Sequence, residues 1–325
     1  GGVSVHTGTI PSKTLRETAL NLSGWRERGF YGRSYRVKQD LTAGDLRARL
    51  DITLNHEIEV LEHQFARNQV TTLRGDARFK GKNSIEVDGE QGETFEFSAD
   101  SILLAVGTIP FRPNYVPFDD KQIFDSDGIL SLDHLPRSIA VIGAGVIGIE
   151  YATIFSSLDV HVTLIEPRET MLDFIDRELI GDFTHQLKDR GMVLRFGRKA
   201  EKIGKLDDGM CEIQMEGGRN IRAEMVLFAA GRMGATASLN LAACGLESDS
   251  RGRIKVDPVT FATEVPSIYA AGDVIGFPSL ASTSMEQGRI AACHALGRPA
   301  HEPPKFFPYG IYSVPEISTV GMTEE

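Results

Sequence analysis

Residues 138–166 constrain the fold more than any other part of this sequence. An apolar segment, Ser138–Ile142, is followed by glycines at positions 143, 145 and 148, a helical run, Ile149–Leu158, and a second apolar segment, Val160–Ile165. A strand, a glycine turn, a helix and a strand in this order make a βαβ unit. The sequence therefore predicts an α/β protein with a parallel sheet.

The three glycines have the spacing of a dinucleotide-binding turn. Gly143 permits the tight turn, Gly145 lets the backbone approach a pyrophosphate, and Gly148 lets the helix pack closely on the strand. The helix N-terminus is then free to bind the phosphates. Glu166 closes the second strand, at the place where an acid accepts hydrogen bonds from the adenosine ribose. This context predicts a site for NAD or NADP rather than a purely structural turn.

Two side chains bear on the choice between these nucleotides. Glu166 favours NAD, because its carboxylate would repel a 2′-phosphate. Arg168 leaves NADP open, since its guanidinium can swing onto that phosphate, although an exposed loop arginine is an equally good interpretation.

Periodicity and turn residues predict the remaining elements. Apolar residues at steps of three and four predict a long amphipathic helix from Asp45 to Arg67. Short alternating segments predict a β-meander over Val70–Phe79, Ser84–Val87 and Thr94–Phe97. Ile10–Lys13 is interpreted as a loop that leads into a helix, and the polar stretch Thr108–Arg137 as a linker and the entry to the next domain.

Charge and cysteine content exclude several classes of protein. The net charge is −10, which disfavours binding to nucleic acid or to an anionic membrane. Cys211, Cys244 and Cys293 lack the spacing of a disulfide framework or a zinc site. No apolar run approaches the ~20 residues that span a bilayer. We therefore expect a reduced, cytoplasmic protein without a bound metal, whose partners are small molecules.

Five motifs occur in the order found in the flavoprotein disulfide reductase superfamily. They are Gly1–Lys13 (GGVSVHTGTIPSK), Ala105–Thr108, the glycine turn, Ala230–Arg232 and Tyr269–Asp273. The sequence resembles this superfamily over essentially its whole length. The resemblance implies FAD, NAD and NADP as cofactors, and nested Rossmann-like FAD- and NAD(P)-binding domains with parallel sheets and β-meanders.

The resemblance also implies domain bounds. Residues 1–130 and 254–310 would be two parts of an FAD-binding domain, residues 131–253 the NAD(P)-binding domain, and residues 311–325 the start of a dimerisation domain. The FAD-binding glycine turn would lie before Gly1, and most of the dimerisation domain after Glu325. We therefore expect a fragment of a homo-oligomer that is inactive by itself.

The redox disulfide of the superfamily is missing from its usual place. The first motif normally reads G-G-T-C, four residues, C-I-P-S-K, and the two cysteine positions hold Ser4 and Thr9. Neither side chain forms a disulfide, so the usual dithiol route is closed. One branch needs no dithiol: the soluble, Si-specific pyridine nucleotide transhydrogenases, which the sequence resembles in Gly8–Lys13, Phe124–Leu130 and Gly272–Ala281. Ser4 departs from that branch, which typically keeps the first cysteine.

The resemblance assigns roles to individual residues. Lys13 would lie beside flavin N5 and pair with Glu150. Asp273 would accept hydrogen bonds from the ribityl or pyrophosphate region of FAD, and Leu280 with Ala281 would bring a helix N-terminus to the pyrimidine edge of the flavin. Further cofactor contacts are implied at Ala77, Gly107, Thr108 and Gly231.

The expected function is FAD-dependent hydride transfer between NADPH and NAD. Two alternatives are open. The first is a dithiol-free NAD(P)H diaphorase that passes hydride to a quinone or a dye, and rapid transfer to an NAD analogue would exclude it. The second is a non-catalytic dinucleotide-binding redox sensor, which a full-length chain without an FAD-binding glycine turn would favour.

Overall fold

A computed structural model describes residues 2–32 and 34–324. Gly1, the first residue of the motif that ends at Lys13, lies outside the described residues. The α-helices of the described part are α1 (Gly2–His6), α2 (Thr9–Leu22), α3 (Arg28–Tyr31), α4 (Ala43–Arg67), α5 (Val146–Ser157), α6 (Arg177–Asp189) and α7 (Ala281–Ala295). Within these ranges, no helix is both long enough and apolar enough to cross a membrane.

The strands are short, with between three and seven residues each. They are β1 (Gly75–Gly81), β2 (Ser84–Gly89), β3 (Thr94–Ser98), β4 (Ile102–Leu104), β5 (Thr108–Pro110), β6 (Ile123–Asp125), β7 (Ser138–Ile142), β8 (His161–Glu166), β9 (Val193–Phe196), β10 (Ala200–Lys205), β11 (Cys211–Met215), β12 (Asn220–Ala223), β13 (Met225–Phe228), β14 (Arg232–Gly234), β15 (Ile268–Ala270), β16 (Tyr309–Ile311) and β17 (Ile317–Thr319).

A five-stranded parallel sheet has the order β6–β13–β7–β8–β9. Its two central strands in this order, β13 and β7, are apolar apart from Ser138, as expected where a parallel sheet is covered on both faces. Ile139 and Val141 belong to an apolar cluster that includes Ile149 of α5, whereas Ala140 and Ile142 belong to a second cluster with the antiparallel sheet β10–β11–β12. The glycine turn that follows β7 leads directly into α5.

Smaller sheets complete the fold. The predicted meander is present as the antiparallel sheet β1–β2–β3, although β1 begins at Gly75 rather than at residue 70. β4 pairs in parallel with β15, β5 pairs with β14, and β16 pairs antiparallel with β17. The α/β class with parallel sheets and a meander is therefore confirmed.

Two of the predictions of secondary structure were wrong. The stretch 108–137 is more than a linker, because Ile123, Phe124 and Asp125 form the buried edge strand β6 of the parallel sheet. Residues 10–13 are not a loop, because α2 already begins at Thr9. Pro11 is compatible with this first helical turn, where the backbone N–H groups have no partner inside the helix.

The chain falls into two compact units. Unit 1 comprises Gly1–Val3, Ile58–Ile109 and Arg232–Phe307, and unit 2 comprises Ser4–Glu57, Pro110–Gly231 and Pro308–Glu325. The domain bounds of the sequence analysis group residues by the cofactor that they are expected to bind. They assign residues 4–57 to the FAD-binding domain, whereas the contacts of the chain place these residues in unit 2. That division stays a prediction.

Candidate functional site

The glycine turn of unit 2 has little room at two of its three glycines. Gly143 has φ +105°, and a Cβ there would lie 2.5 Å from the carbonyl oxygen of Ala229. A Cβ on Gly148 would lie 1.9 Å from the carbonyl oxygen of Gly143. Any side chain at Gly148 would therefore push α5 away from the turn.

Gly145 is different, because it faces open space. It caps the N-terminus of α5 with an extended backbone, and no described atom lies within 4 Å of a Cβ built on it. No side chain caps this helix end. The first N–H groups of α5 are thus free to donate to an anion, and an approaching pyrophosphate would find space at Gly145.

Glu166, the last residue of β8, is tied to the same turn. Glu166 is 5% exposed, and its carboxylate accepts a hydrogen bond from the Ala144 N–H at 2.7 Å. Burial by itself would raise the pKa of Glu166, but hydrogen bonds from Arg168 and from the Ala144 N–H outweigh burial and hold the pKa below its ordinary value. Glu166 is therefore a fixed, ionised acceptor beside the glycine turn.

Arg168 is paired with two carboxylates. Its Nε donates to Glu166 Oε1 at 2.9 Å, and its Nη1 lies 2.8 Å from Asp173 Oδ2. The hydrogen bond to Glu166, opposed by partial burial and supported by the contact with Asp173, raises the pKa of Arg168. Sequence reasoning missed Asp173, which carries no signal beyond its charge.

Lys13 and Glu150 lie together in unit 2, as the resemblance implied. The Lys13 ammonium on α2 lies 2.6 Å and 2.7 Å from the two carboxylate oxygens of Glu150 on α5. Glu150 is 4% exposed, whereas a quarter of the Lys13 side chain, 26%, is exposed. The pair thus presents one accessible cation that is held by a buried anion.

Tyr312, which follows β16, completes this pair and was missed from the sequence. Its backbone N–H donates to Glu150 Oε1 at 3.0 Å, and the Lys13 ammonium lies 4.7 Å from the centre of its ring. Two residues later, the Val314 N–H donates to Thr153 Oγ1 on the next turn of α5 at 3.0 Å. The segment after β16 is therefore fastened along α5 at two points.

In unit 1, the candidate FAD residues Asp273 and Thr108 are neighbours. The Thr108 hydroxyl lies 3.5 Å from Asp273 Oδ2 and accepts a hydrogen bond from Arg232 Nε at 2.8 Å. Burial raises the pKa of Asp273, although Arg232 and Thr108 act in the opposite direction. Gly107 precedes Thr108 with φ +65°, a backbone conformation that favours glycine. A partly buried carboxylate with a raised pKa is a common feature of binding sites.

The remaining candidate residues have simpler surroundings. Leu280 caps the N-terminus of α7 without a side-chain hydrogen bond, and Ala281 is the first residue of that helix. Ala77 is exposed in β1 opposite Val87, and the Gly231 carbonyl accepts a hydrogen bond from the Phe111 N–H at 3.1 Å. Their cofactor contacts stay predictions.

Comparison with known proteins decides the family. A family model described as pyridine nucleotide-disulphide oxidoreductase matches residues 1–288. The chain belongs to this family.

Individual members of the family are similar to the chain over its whole length. The soluble pyridine nucleotide transhydrogenase of Mycobacterium tuberculosis is 48% identical over 327 residues, and that of Colwellia psychrerythraea is 40% identical over 328 residues; each match covers 100% of the chain and 69% of the relative. Among solved structures, the HOCl-induced flavoprotein disulfide reductase RclA of Escherichia coli is 26% identical with a TM-score of 0.85, and the match covers 100% of the chain and 70% of RclA. The resemblance to soluble transhydrogenases and the Rossmann-like fold are confirmed.

Membership in the pyridine nucleotide-disulphide oxidoreductase family makes the chain an oxidoreductase and implies FAD and a pyridine nucleotide as cofactors. The residues fit both groups. The open backbone at Gly145 and the uncapped start of α5 suit a pyrophosphate, and the partly buried Asp273 carboxylate and the uncapped start of α7 suit FAD.

In spite of the family name, the two cysteine positions of the redox motif hold Ser4 and Thr9, and the thiols of Cys211 and Cys244 are buried. Ser4 lies in α1 and Thr9 is the first residue of α2. Burial raises the pKa of Cys211 to about 11 and also raises that of Cys244. Since the thiolate is the reactive form, these two cysteines are poor nucleophiles.

Proposed function

We propose that this chain takes part in FAD-dependent, Si-specific hydride transfer between NADPH and NAD, without a redox disulfide. The observation that carries the proposal is the Lys13–Glu150 pair in a chain that has Ser4 and Thr9 at the cysteine positions of its family. The similarity to proteins named soluble pyridine nucleotide transhydrogenases supports the same reaction.

FAD, when bound, supplies the two-electron hydride chemistry. The contribution of Lys13 is a fixed positive charge, which stabilises negative charge that develops beside it. Glu150 keeps this ammonium in one place, and the Tyr312 N–H fixes the orientation of the carboxylate. Because the Lys13 ammonium and the Tyr312 N–H both donate to its carboxylate, Glu150 acts as the hydrogen-bond acceptor that positions the ammonium.

Other residues of the chain hold the cofactors. Gly143, Gly145 and Gly148 with the start of α5 bind the pyrophosphate of the pyridine nucleotide, and Glu166 binds its adenosine ribose. For FAD, Asp273 and Thr108 are the polar contacts of unit 1, and the N-terminus at Leu280 and Ala281 favours a partly negative flavin edge. Ala77, Gly107, Arg168 and Gly231 complete the proposed contacts.

The proposal includes the organisation of the protein. Residues 131–253 bind the pyridine nucleotide, residues 1–130 and 254–310 contribute to FAD binding, and residues 311–325 begin a dimerisation domain. The partners are dinucleotides and a second copy of the protein, and the location is cytoplasmic. These statements rest on the resemblance of the motifs.

The decisive experiment uses the natural gene product that contains this sequence. Its flavin is reduced with NADPH and then mixed with thio-NAD in a stopped-flow instrument, with and without prior treatment with N-ethylmaleimide. We expect a yellow protein and rapid hydride transfer to thio-NAD that alkylation does not change. Loss of transfer on alkylation, with protection by bound substrate, would contradict the dithiol-free route. Transfer to quinones but not to thio-NAD would favour the diaphorase.

A further inference from the structure

The carboxylate of Glu166 has no free acceptor position for a ribose. Its Oε1 accepts from the Arg168 N–H at 3.1 Å and from Arg168 Nε at 2.9 Å, and its Oε2 accepts from the Ala144 N–H at 2.7 Å and from Arg168 Nη2 at 3.3 Å. An ionised carboxylate offers about four lone-pair positions. All four are occupied, two of them by the guanidinium of Arg168. A ribose hydroxyl can therefore bind Glu166 only if that guanidinium moves.

Asp173 offers the displaced guanidinium a second partner. Its Oδ2 lies 2.8 Å from Arg168 Nη1, on the part of the guanidinium that does not contact Glu166. Arg168 and Asp173 are about half exposed, at 45% and 54% of their side chains, whereas the Glu166 side chain is 6% exposed. Arg168 can thus leave Glu166 towards solvent and still keep its contact with Asp173.

A 2′-phosphate would compete for the same guanidinium. Arg binds phosphate and carboxylate through the same planar set of donors, so a guanidinium fully engaged by one anion is withdrawn from the other. Bound NAD(H) would leave the guanidinium of Arg168 paired with Asp173, whereas the 2′-phosphate of NADP(H) would have to replace Asp173 as its partner.

We propose that Asp173 is a specificity-determining residue that holds Arg168 clear of Glu166 when the ribose of NAD(H) binds, and that competes with the 2′-phosphate of NADP(H) for Arg168. This inference rests on the proposed pyridine nucleotide site at the glycine turn. It explains how one site admits both nucleotides: a single arginine has two alternative anionic partners.

The test measures dissociation constants of the 325-residue chain for NADH and NADPH by titration calorimetry. Asp173→Asn removes the competing charge, so we expect NADPH to bind more tightly relative to NADH by about two- to five-fold, the size of a half-exposed ion pair. Asp173→Glu should restore the original ratio. In an Arg168→Ala background, Asp173→Asn should leave the ratio of the two dissociation constants unchanged, because the guanidinium through which Asp173 acts is gone.

Two control variants separate this effect from general electrostatics. Asp182→Asn removes one acid from α6, where the carboxylate accepts from Gln186, and Arg198→Ala removes an arginine whose backbone N–H lies 3.4 Å from the Glu166 carbonyl oxygen. Neither should alter the NADPH to NADH ratio. Because only the adenosine end is involved, 2′,5′-ADP and ADP should reproduce the shift seen with the whole nucleotides.

The outcomes are distinguishable. If the unaltered chain binds both nucleotides and Asp173→Asn leaves their ratio unchanged, or if Asp182→Asn shifts the ratio equally, the role of Asp173 is overturned while the pyridine nucleotide site stands. If the unaltered chain binds neither nucleotide nor ADP, the proposed site itself is overturned, and the role of Asp173 with it.

Discussion

The backbone N–H of Tyr312 donates to Glu150 at 3.0 Å, on the same carboxylate oxygen that lies 2.6 Å from the Lys13 ammonium. One buried oxygen therefore joins a segment near the end of the chain to a side chain near its beginning. A hydrogen bond from a backbone group restricts the carboxylate more than another side chain would, because the backbone donor has no rotamers to change. Glu150 is thus held in one orientation, whatever Lys13 does.

Lys13→Met should destabilise the chain strongly. It leaves the carboxylate of Glu150 buried without its cation, and removal of one partner from a buried pair costs about 3 kcal/mol or more. Urea unfolding of the single variants Lys13→Met and Glu150→Gln, compared with the double variant Lys13→Met/Glu150→Gln, measures the effect. The double variant should recover part of the lost free energy of unfolding, and Lys13→Arg should lose little. A double variant that loses as much as the sum of the single variants would show that the two residues act independently.

Gly148→Ala and Gly145→Ala should separate the packing of the turn from its ligand. The added methyl group at Gly148 would meet the Gly143 carbonyl, so we expect a lower melting temperature and loss of NADH binding. The same methyl group at Gly145 meets no described atom, so the melting temperature should hold while NADH binds more weakly, because the space for the pyrophosphate is reduced. Unchanged NADH binding by a folded Gly148→Ala chain would place the nucleotide elsewhere.

Glu166→Ala should weaken NADH binding more than NADPH binding. The substitution removes the ribose acceptor and also the charge that repels a 2′-phosphate, and a hydrogen bond to a charged group is worth about 1.5–3 kcal/mol. Calorimetric titration of the chain with each nucleotide gives the two losses. Because the Ala144 N–H also loses its acceptor, Glu166→Gln serves as the control that keeps an acceptor there. Equal losses for both nucleotides in both variants would mean that Glu166 only supports the turn.

Asp273→Asn should stabilise the protein at neutral pH. Burial raises the pKa of Asp273 in the folded chain above its unfolded value of about 3.9. Above the folded pKa, the charged carboxylate therefore disfavours folding; as the pH falls through that pKa, the folded chain takes up the proton first and regains stability. The difference in urea midpoint between Asp273→Asn and the unaltered chain should therefore shrink as the pH falls from 7 towards 4.

Glu166→Gln should change the free energy of unfolding with the opposite pH dependence. The pKa of Glu166 is lowered in the folded chain, so its stabilisation is complete above the unfolded value and disappears as the pH falls through the lower folded value. Glu166→Gln should therefore cost most near neutral pH. An advantage of Asp273→Asn that grows in acid would contradict the assigned direction of its pKa.

The glycine turn could be predicted from local sequence signals, whereas contacts between residues far apart in the sequence could not. The glycines at 143, 145 and 148 act within a few residues, so their spacing already describes the turn. Lys13 and Glu150 are 137 residues apart, and only the resemblance to a family connected them. Tyr312 and Asp173 carried no signal, because a backbone N–H looks the same in every residue and a surface acid is common. The strand β6 was missed because three residues are too few to show a period.

Helix α5 carries Gly145 at its cap and Glu150 five residues later. Each residue advances a helix by 1.5 Å and turns it by about 100°, so the phosphate end and the carboxylate are separated by about 7.5 Å in a fixed angular relation. A residue inserted between them would rotate Glu150 about a quarter of a turn away from Lys13, however well the new residue suited a helix. The length of the stretch 145–150 is therefore as constrained as its two glycines, and a relative with an insertion there would no longer pair this glutamate with the lysine.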